Sequence, residues 1–187
     1  MNKLFFSGIL LFVVACHKKD PTPSGTNTFS CQIEGKDFTP YLGSASQPFT
    51  GPPIKALEAS YYPKGRLLVI YAKGVYNQLS MGIRLSPGQG TGSYTLGYTR
   101  FIYPFISTPN NYGTYKSIPP FIQGVTDPNN IPPTVDYITD AMNTGAVTIT
   151  RLDTIAREAV GTFNYTAYSS ATGTLTHVSN GGFDVLF

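Results

Sequence analysis

The chain has 187 residues, and 13 Lys and Arg against 10 Asp and Glu give a formal net charge of +3 at pH 7. The cations are scattered singly apart from Lys18–Lys19, so no basic stripe marks a nucleic-acid interface. With 13 Tyr, 12 Phe and only 12% charged residues, and with Thr, Tyr, Val and Gly in short alternating runs, the composition is that of a β protein.

The N-terminus reads "MNKLFFSGILLFVVAC". One cation, Lys3, precedes eleven uncharged residues from Leu4 to Val14. That run falls short of the roughly 18 apolar residues a bilayer span needs. It suits the apolar core of a secretory signal, with a basic start and a small residue at the cleavage point. The tetrad Val13–Val14–Ala15–Cys16 resembles the lipobox of bacterial lipoproteins. The resemblance implies cleavage after Ala15, a diacylglyceryl thioether on the Cys16 sulfur and a further acyl chain such as palmitate on the new amine. Two or three chains on one residue suffice for stable anchoring. The stretch from His17 to Asn27 has two prolines and no large apolar side chain, and reads as a linker. Eleven extended residues reach roughly 36–40 Å.

The expected organisation is therefore a signal peptide over 1–15, a lipidated cysteine and flexible linker over 16–27, and one all-β domain over 28–187. In its first hairpin Phe29, Cys31 and Ile33 alternate before the turn "EGK", and Phe38 lies on the return strand. A second hairpin centres on "PKG", with Leu57, Ala59 and Tyr61 facing Leu67, Val69 and Tyr71, and "YNQLSMGIRL" follows as a third strand. The segment "SPGQGTG" lacks the spacing and the following Lys-Ser/Thr of a nucleotide loop and reads as a β–β connection.

Residues 101–140 carry seven prolines and many aromatic residues with little alternation, and read as a long loop insertion. A strand through Tyr137 and a turn at "NTG" are expected near its end. In "GAVTITRL", Val147 and Ile149 alternate with Thr148 and Thr150. Phe163, Tyr165 and Ala167 then share a face, a turn runs through "SSATG", and Phe183, Val185 and Phe187 close the chain on one face. Eight to ten strands with short turns predict an antiparallel β-sandwich or barrel, a lipocalin-like up-and-down barrel being the alternative.

The runs "IEGKDF", "GSYTLG", "GAVTITRLDT" and "GTFNYTAYSSATGTLTHVSNGGFDV" resemble a family of small Bacteroidota lipoproteins of uncharacterised function. The resemblance covers both ends of the mature chain and part of its middle. It implies an all-β, membrane-tethered domain and carries over no catalytic residues.

Chemistry-bearing groups are few. His17 lies in the linker and His177 alternates with Leu175 on an expected exposed strand, so neither a Ser-His-Asp arrangement nor a zinc site is supplied. With Cys16 lipidated, Cys31 has no disulfide partner and reads as a small buried hydrophobe. Paired carboxylates for glycoside cleavage would come from Glu34, Glu58, Asp136, Asp140 and Asp153. Asp127, with Asp136 and Asp140, could offer oxygens to calcium, although Asp-Pro-Asn-Asn is also a turn composition that needs no metal. Asp153–Thr154–Ile155 resembles the acceptor triplet of periplasmic O-glycosylation in Bacteroidota, with Thr154 as the acceptor.

The rings of Tyr103, Phe105, Tyr112, Tyr115 and Phe121 either stack on a ligand or fold back over one end of the core. No cofactor is expected. The leading expectation is a non-catalytic binding module for a glycan or an envelope protein, tethered by its lipid, with outer membrane the expected location and its face undecided. A structural or assembly protein is the alternative, and a glycoside hydrolase the remaining one.

Overall fold

The computed structural model describes residues 27–41, 55–88, 90–97, 111–119 and 133–187. Among them are eleven β-strands and no helix, one more strand than the upper expectation. They are β1 (Thr28–Ile33), β2 (Lys36–Phe38), β3 (Leu57–Tyr62), β4 (Leu67–Lys73), β5 (Asn77–Arg84), β6 (Gly92–Leu96), β7 (Tyr112–Ser117), β8 (Val135–Ile138), β9 (Gly145–Asp153), β10 (Glu158–Ser169) and β11 (Thr174–Leu186). All pairings are antiparallel.

Turn chemistry sets the hairpins. Glu34 and Gly35 both have positive φ (49° and 74°) and join Ile33 directly to Lys36, the two-residue loop whose twist matches the strands it connects. Three further hairpins close with four-residue loops, at 63–66, 154–157 and 170–173. Each ends on a left-handed residue: Arg66 (φ 48°), Arg157 (φ 59°) and Gly173 (φ 70°).

The second hairpin corrects the sequence expectation. Because Arg66 belongs to the loop, Tyr62 pairs with Leu67, and Leu57, Ala59 and Tyr61 face Ala72, Ile70 and Leu68. The whole of β4 is thus turned over by one residue relative to the expected pairing, and Leu67, Val69 and Tyr71 point outward.

The long β10–β11 hairpin is the spine. One edge of β11 carries β1 and then β2. The free edge of β10 is shared: β9 takes Glu158 to Tyr165, and β8 meets it at Tyr168. From this fork β9 leads to β6, while β8 leads through β7, β5 and β4 to β3. The inward faces close over one core built from Phe29, Leu68, Met81, Leu96, Val147, Phe163, Phe183 and their neighbours. A ring contact between Tyr61 and Phe187, 5.5 Å between centroids, brings β3 back over the end of β11.

The result is an open, sandwich-like sheet. It is not the closed up-and-down barrel considered as an alternative, because among the described residues the strand path ends unpaired at β2 and β3, β5 pairs with β7 and β8 with β10, and β6 lies off the path beside β9. Within segment 101–140, the described residues 111–119 and 133–140 include regular structure. They contribute β7 and β8, whose short alternating runs are masked in the sequence by proline-dense flanks.

Candidate functional site

Register places a defined set of side chains on the outer face of β3, β4, β5, β7 and β8. Cross-strand rows there run Tyr62–Leu67–Arg84, then Ser60–Val69–Gly82–Tyr112, then Glu58–Tyr71–Ser80–Thr114. Tyr62 is 55% exposed and Tyr71 37%, yet Val69, on the same face, is only 6% exposed and lies outside the interior cluster. It sits in the row between Ser60 and Gly82, the glycine that the Tyr112 ring overlies.

Tyr112 is the fixed member of the group. Its ring fills the space where a side chain at Gly82 would sit: a Cβ there would lie 2.3 Å from Cε1 and 2.6 Å from Cζ. Burial raises its phenol pKa above the usual 10.0, the neighbouring Tyr71 and Tyr62 phenols add to the rise, and a hydrogen bond with Ser80 opposes it. Thr114 donates to Ser80 Oγ (3.2 Å), so the floor beneath the rings is itself hydrogen-bonded. The rim is polar, with Glu58 on β3 and the Lys116–Asp136 ion pair (3.2 Å) across β7 and β8.

At the Tyr62 end of this face lies an open cleft of about 500 Å³, lined by Arg66, Arg84, Ser86, Thr95, Asn111 and backbone around Leu85 and Gly97. Asn111 Oδ1 accepts the Arg84 backbone N–H at 2.7 Å, tying the end of β5 to the start of β7. A neighbouring hollow of about 290 Å³ shares Arg66 and Ser86 and has Thr154 on its rim.

The sequence-predicted residues are dispersed. Tyr112 lies on the outer face, whereas Tyr115 points inward, ring to ring with Tyr137 at 5.6 Å and packed against the core. The two were expected to act together on a loop. Alternation along β7 sends them to opposite sides. Ala15, Cys16, Tyr103, Phe105, Phe121 and Asp127 lie outside the described residues. Tyr62 and Tyr71 were missed, although the Tyr61–Tyr62 doublet ahead of a turn guarantees one outward ring whichever register the hairpin adopts.

Thr154 is exposed on the β9–β10 turn, where Asp153 Oδ1 accepts the N–H groups of Ile155 (2.9 Å) and Ala156 (2.8 Å). These bonds hold the Asp153 carboxyl below the usual carboxylate range. His177 is exposed on β11, with Nδ1 3.0 Å from Thr166 Oγ1, and its backbone N–H donates to Glu34. Cys31 is buried, and desolvation pushes its thiol up to about 12.

The candidate acids do not converge. Glu34 lies in the β1–β2 turn, Glu58 on β3, Asp136 on β8, Asp140 after β8 and Asp153 at the end of β9. Glu58 and Asp136 stand four strand spacings apart, about 19 Å along the sheet. Asp140 is engaged by Asn143, whose side-chain and backbone nitrogens both donate to it, and this keeps its carboxyl pKa low. Among the described residues, no group of three or more His, Cys, Asp and Glu gathers where it could hold a metal ion. Comparisons with protein-family models, with curated proteins and with solved structures each return no match.

Proposed function

We propose that this chain is a lipid-anchored module of a bacterial cell envelope that binds a glycan without acting on it, using the outward face of β3, β4, β5 and β7. The observation that carries the reading is the tyrosine group itself. Tyr62 and Tyr71 stand exposed around the locked ring of Tyr112, over a floor of Val69, Gly82 and Ser80. Tyrosine combines an apolar ring face with a hydroxyl that reaches water, which suits a sugar's alternating C–H and O–H surface. Because the rings stand on paired strands rather than on a loop, little side-chain freedom is lost when a ligand settles on them. The lipobox-like tetrad ending in Cys16 supplies the tether, and the linker after it holds the face clear of lipid headgroups.

Two variants test the proposal. Replacing Tyr62 and Tyr71 together by Ala removes exposed rings, so the fold is expected to survive while retention on a panel of cell-wall and extracellular polysaccharides falls at least about tenfold, the loss of roughly 1.4 kcal/mol. Unchanged retention of every bound glycan would overturn the assignment of this face. A protein that co-purifies through the same tyrosines, with no glycan response, would favour the assembly role instead. Cys16→Ser is expected to abolish palmitate labelling and to move the protein from the detergent phase to the aqueous phase.

A further inference from the structure

The cleft at the Tyr62 end of the sheet has a chemistry the tyrosine face lacks. It is lined by two arginines, Arg66 and Arg84, and by no carboxylate among the described residues. Among the described residues neither arginine takes part in an ion pair, whereas Asp136 pairs with Lys116, and Asp153 and Glu158 with Arg151. Arg84 is half-buried, and its Nε is closed off from solvent with no hydrogen-bond partner among the described residues. A buried donor left without an acceptor is costly.

Arg66 is placed against local preference. It takes the left-handed conformation (φ 48°) although Gly65, which would adopt it without strain, is the residue before it. The Arg66 N–H donates to the Pro63 carbonyl (3.1 Å), and the Arg66 carbonyl accepts from Leu85 (2.8 Å), which fixes the turn against the start of the β5–β6 connection. Ser86, Thr95 and the Asn111 amide add neutral donors on the same wall. The volume lies within the roughly 300–1,000 Å³ of small-molecule sites.

We infer that this cleft binds the anionic group of an acidic glycan, a uronate carboxylate or a sulfate ester, while neighbouring sugars of the same chain lie on the tyrosine face. The inference rests on the glycan reading of that face and names the class of glycan. The two parts are continuous, since Tyr62, Leu67 and Arg84 form one cross-strand row about 10 Å across. A planar guanidinium matches a carboxylate or sulfate with paired hydrogen bonds, and two cations with no carboxylate among the described lining residues concentrate anions at the mouth.

The experiment uses the full chain in detergent and three probes: oligogalacturonate, its methyl ester, and a carrageenan oligosaccharide bearing sulfate but no carboxylate. Affinities are measured by calorimetry for the wild type, Arg66→Gln/Arg84→Gln and Tyr62→Ala/Tyr71→Ala. At least one acidic probe is expected to bind about ten- to a hundredfold tighter than the ester. The double Gln variant should erase that preference, and the tyrosine variant should weaken ester and acid alike. The acidic probe that wins distinguishes carboxylate from sulfate.

Equal binding of acid and ester, or a preference that survives in the double Gln variant, overturns the acidic assignment and leaves the glycan reading standing. Arginine-dependent binding of inorganic sulfate with no response to any sugar overturns the glycan as occupant. Binding of none of these probes counts against both. If the double variant does not fold, Arg66→Gln alone, on an exposed turn, carries the same comparison.

Discussion

At the scale of single residues, the candidate face depends on one missing side chain. Gly82 lets the ring of Tyr112 lie across β5, and the buried Ser80 and Val69 then become the floor for Tyr71 and Tyr62. Covering a strand glycine with a cross-strand aromatic ring also restores packing that glycine cannot supply. Gly82→Ala is expected to drive the Tyr112 ring off the sheet. Because the ring can swing toward solvent, the loss of stability should fall near the low end of overpacking costs, about 1 kcal/mol. A thermal melt would show a small decrease, whereas glycan retention should fall as far as in a Tyr112→Ala variant. Equal melting temperature together with equal retention would mean that Tyr112 has no part in the face.

At the scale of elements, the position of β7 decides which tyrosine faces which way, and β7 is held by a residue outside any strand. Thr139 is fully buried just after β8. Its Oγ1 accepts the Gly113 N–H (3.1 Å) and donates to the Gly97 carbonyl (3.4 Å), and its own N–H donates to the Gly113 carbonyl (2.9 Å). One hydroxyl thus joins β7 to the end of β6. Thr139→Val keeps the shape but leaves the buried Gly113 N–H without an acceptor, which costs about 1–3 kcal/mol. Urea unfolding should report that loss as a lower midpoint with an unchanged slope. A midpoint within a few tenths of a molar of wild type would show that water or a neighbouring group replaces the hydroxyl.

At the scale of the whole molecule, burial of weak acids in one shared core couples the fold to alkaline pH. The Cys31 thiol is pushed from 9.0 up to about 12 by desolvation, and burial also raises the Tyr165 and Tyr115 phenols, Tyr165 well above 10.0. Tyr165 uses its hydroxyl to donate to the Thr114 carbonyl at 2.7 Å. Each folded-state pKa exceeds the unfolded one, so the unfolded chain releases these protons first. Stability from these groups is therefore complete below about pH 9 and is lost as pH rises toward about 12. The melting temperature should be level from pH 7 to 9 and fall steadily above it, while the folded thiol stays inert to a disulfide reagent at pH 8. A flat profile through pH 11 would mean that Cys31 and Tyr165 titrate without unfolding.

The sequence by itself determined the β class, the turn at Glu34–Gly35, the inward set from Val147 to Phe187 and the buried nature of Cys31. In each case strict alternation or a turn-specific residue leaves one physical solution. It could not determine the facing of β4, because "LLVIYA" is apolar at every position and carries no alternation to read. There the register hangs on whether the loop closes before or after Arg66. Gly65 is the natural left-handed residue, and the fold uses Arg66 instead. That single shift turned Tyr71 outward and set Tyr62 in one row with Arg84 across Leu67, and the pairing of β5 with β7 then brought Tyr112 over Gly82, so the tyrosine face and the arginine cleft were decided by strand pairing rather than by pattern. The acids went the same way: they are spaced along the chain as if they could meet, but the tertiary structure set them on separate elements, Glu34, Asp140 and Asp153 at turns, Asp136 in its ion pair with Lys116, and Glu58 on β3.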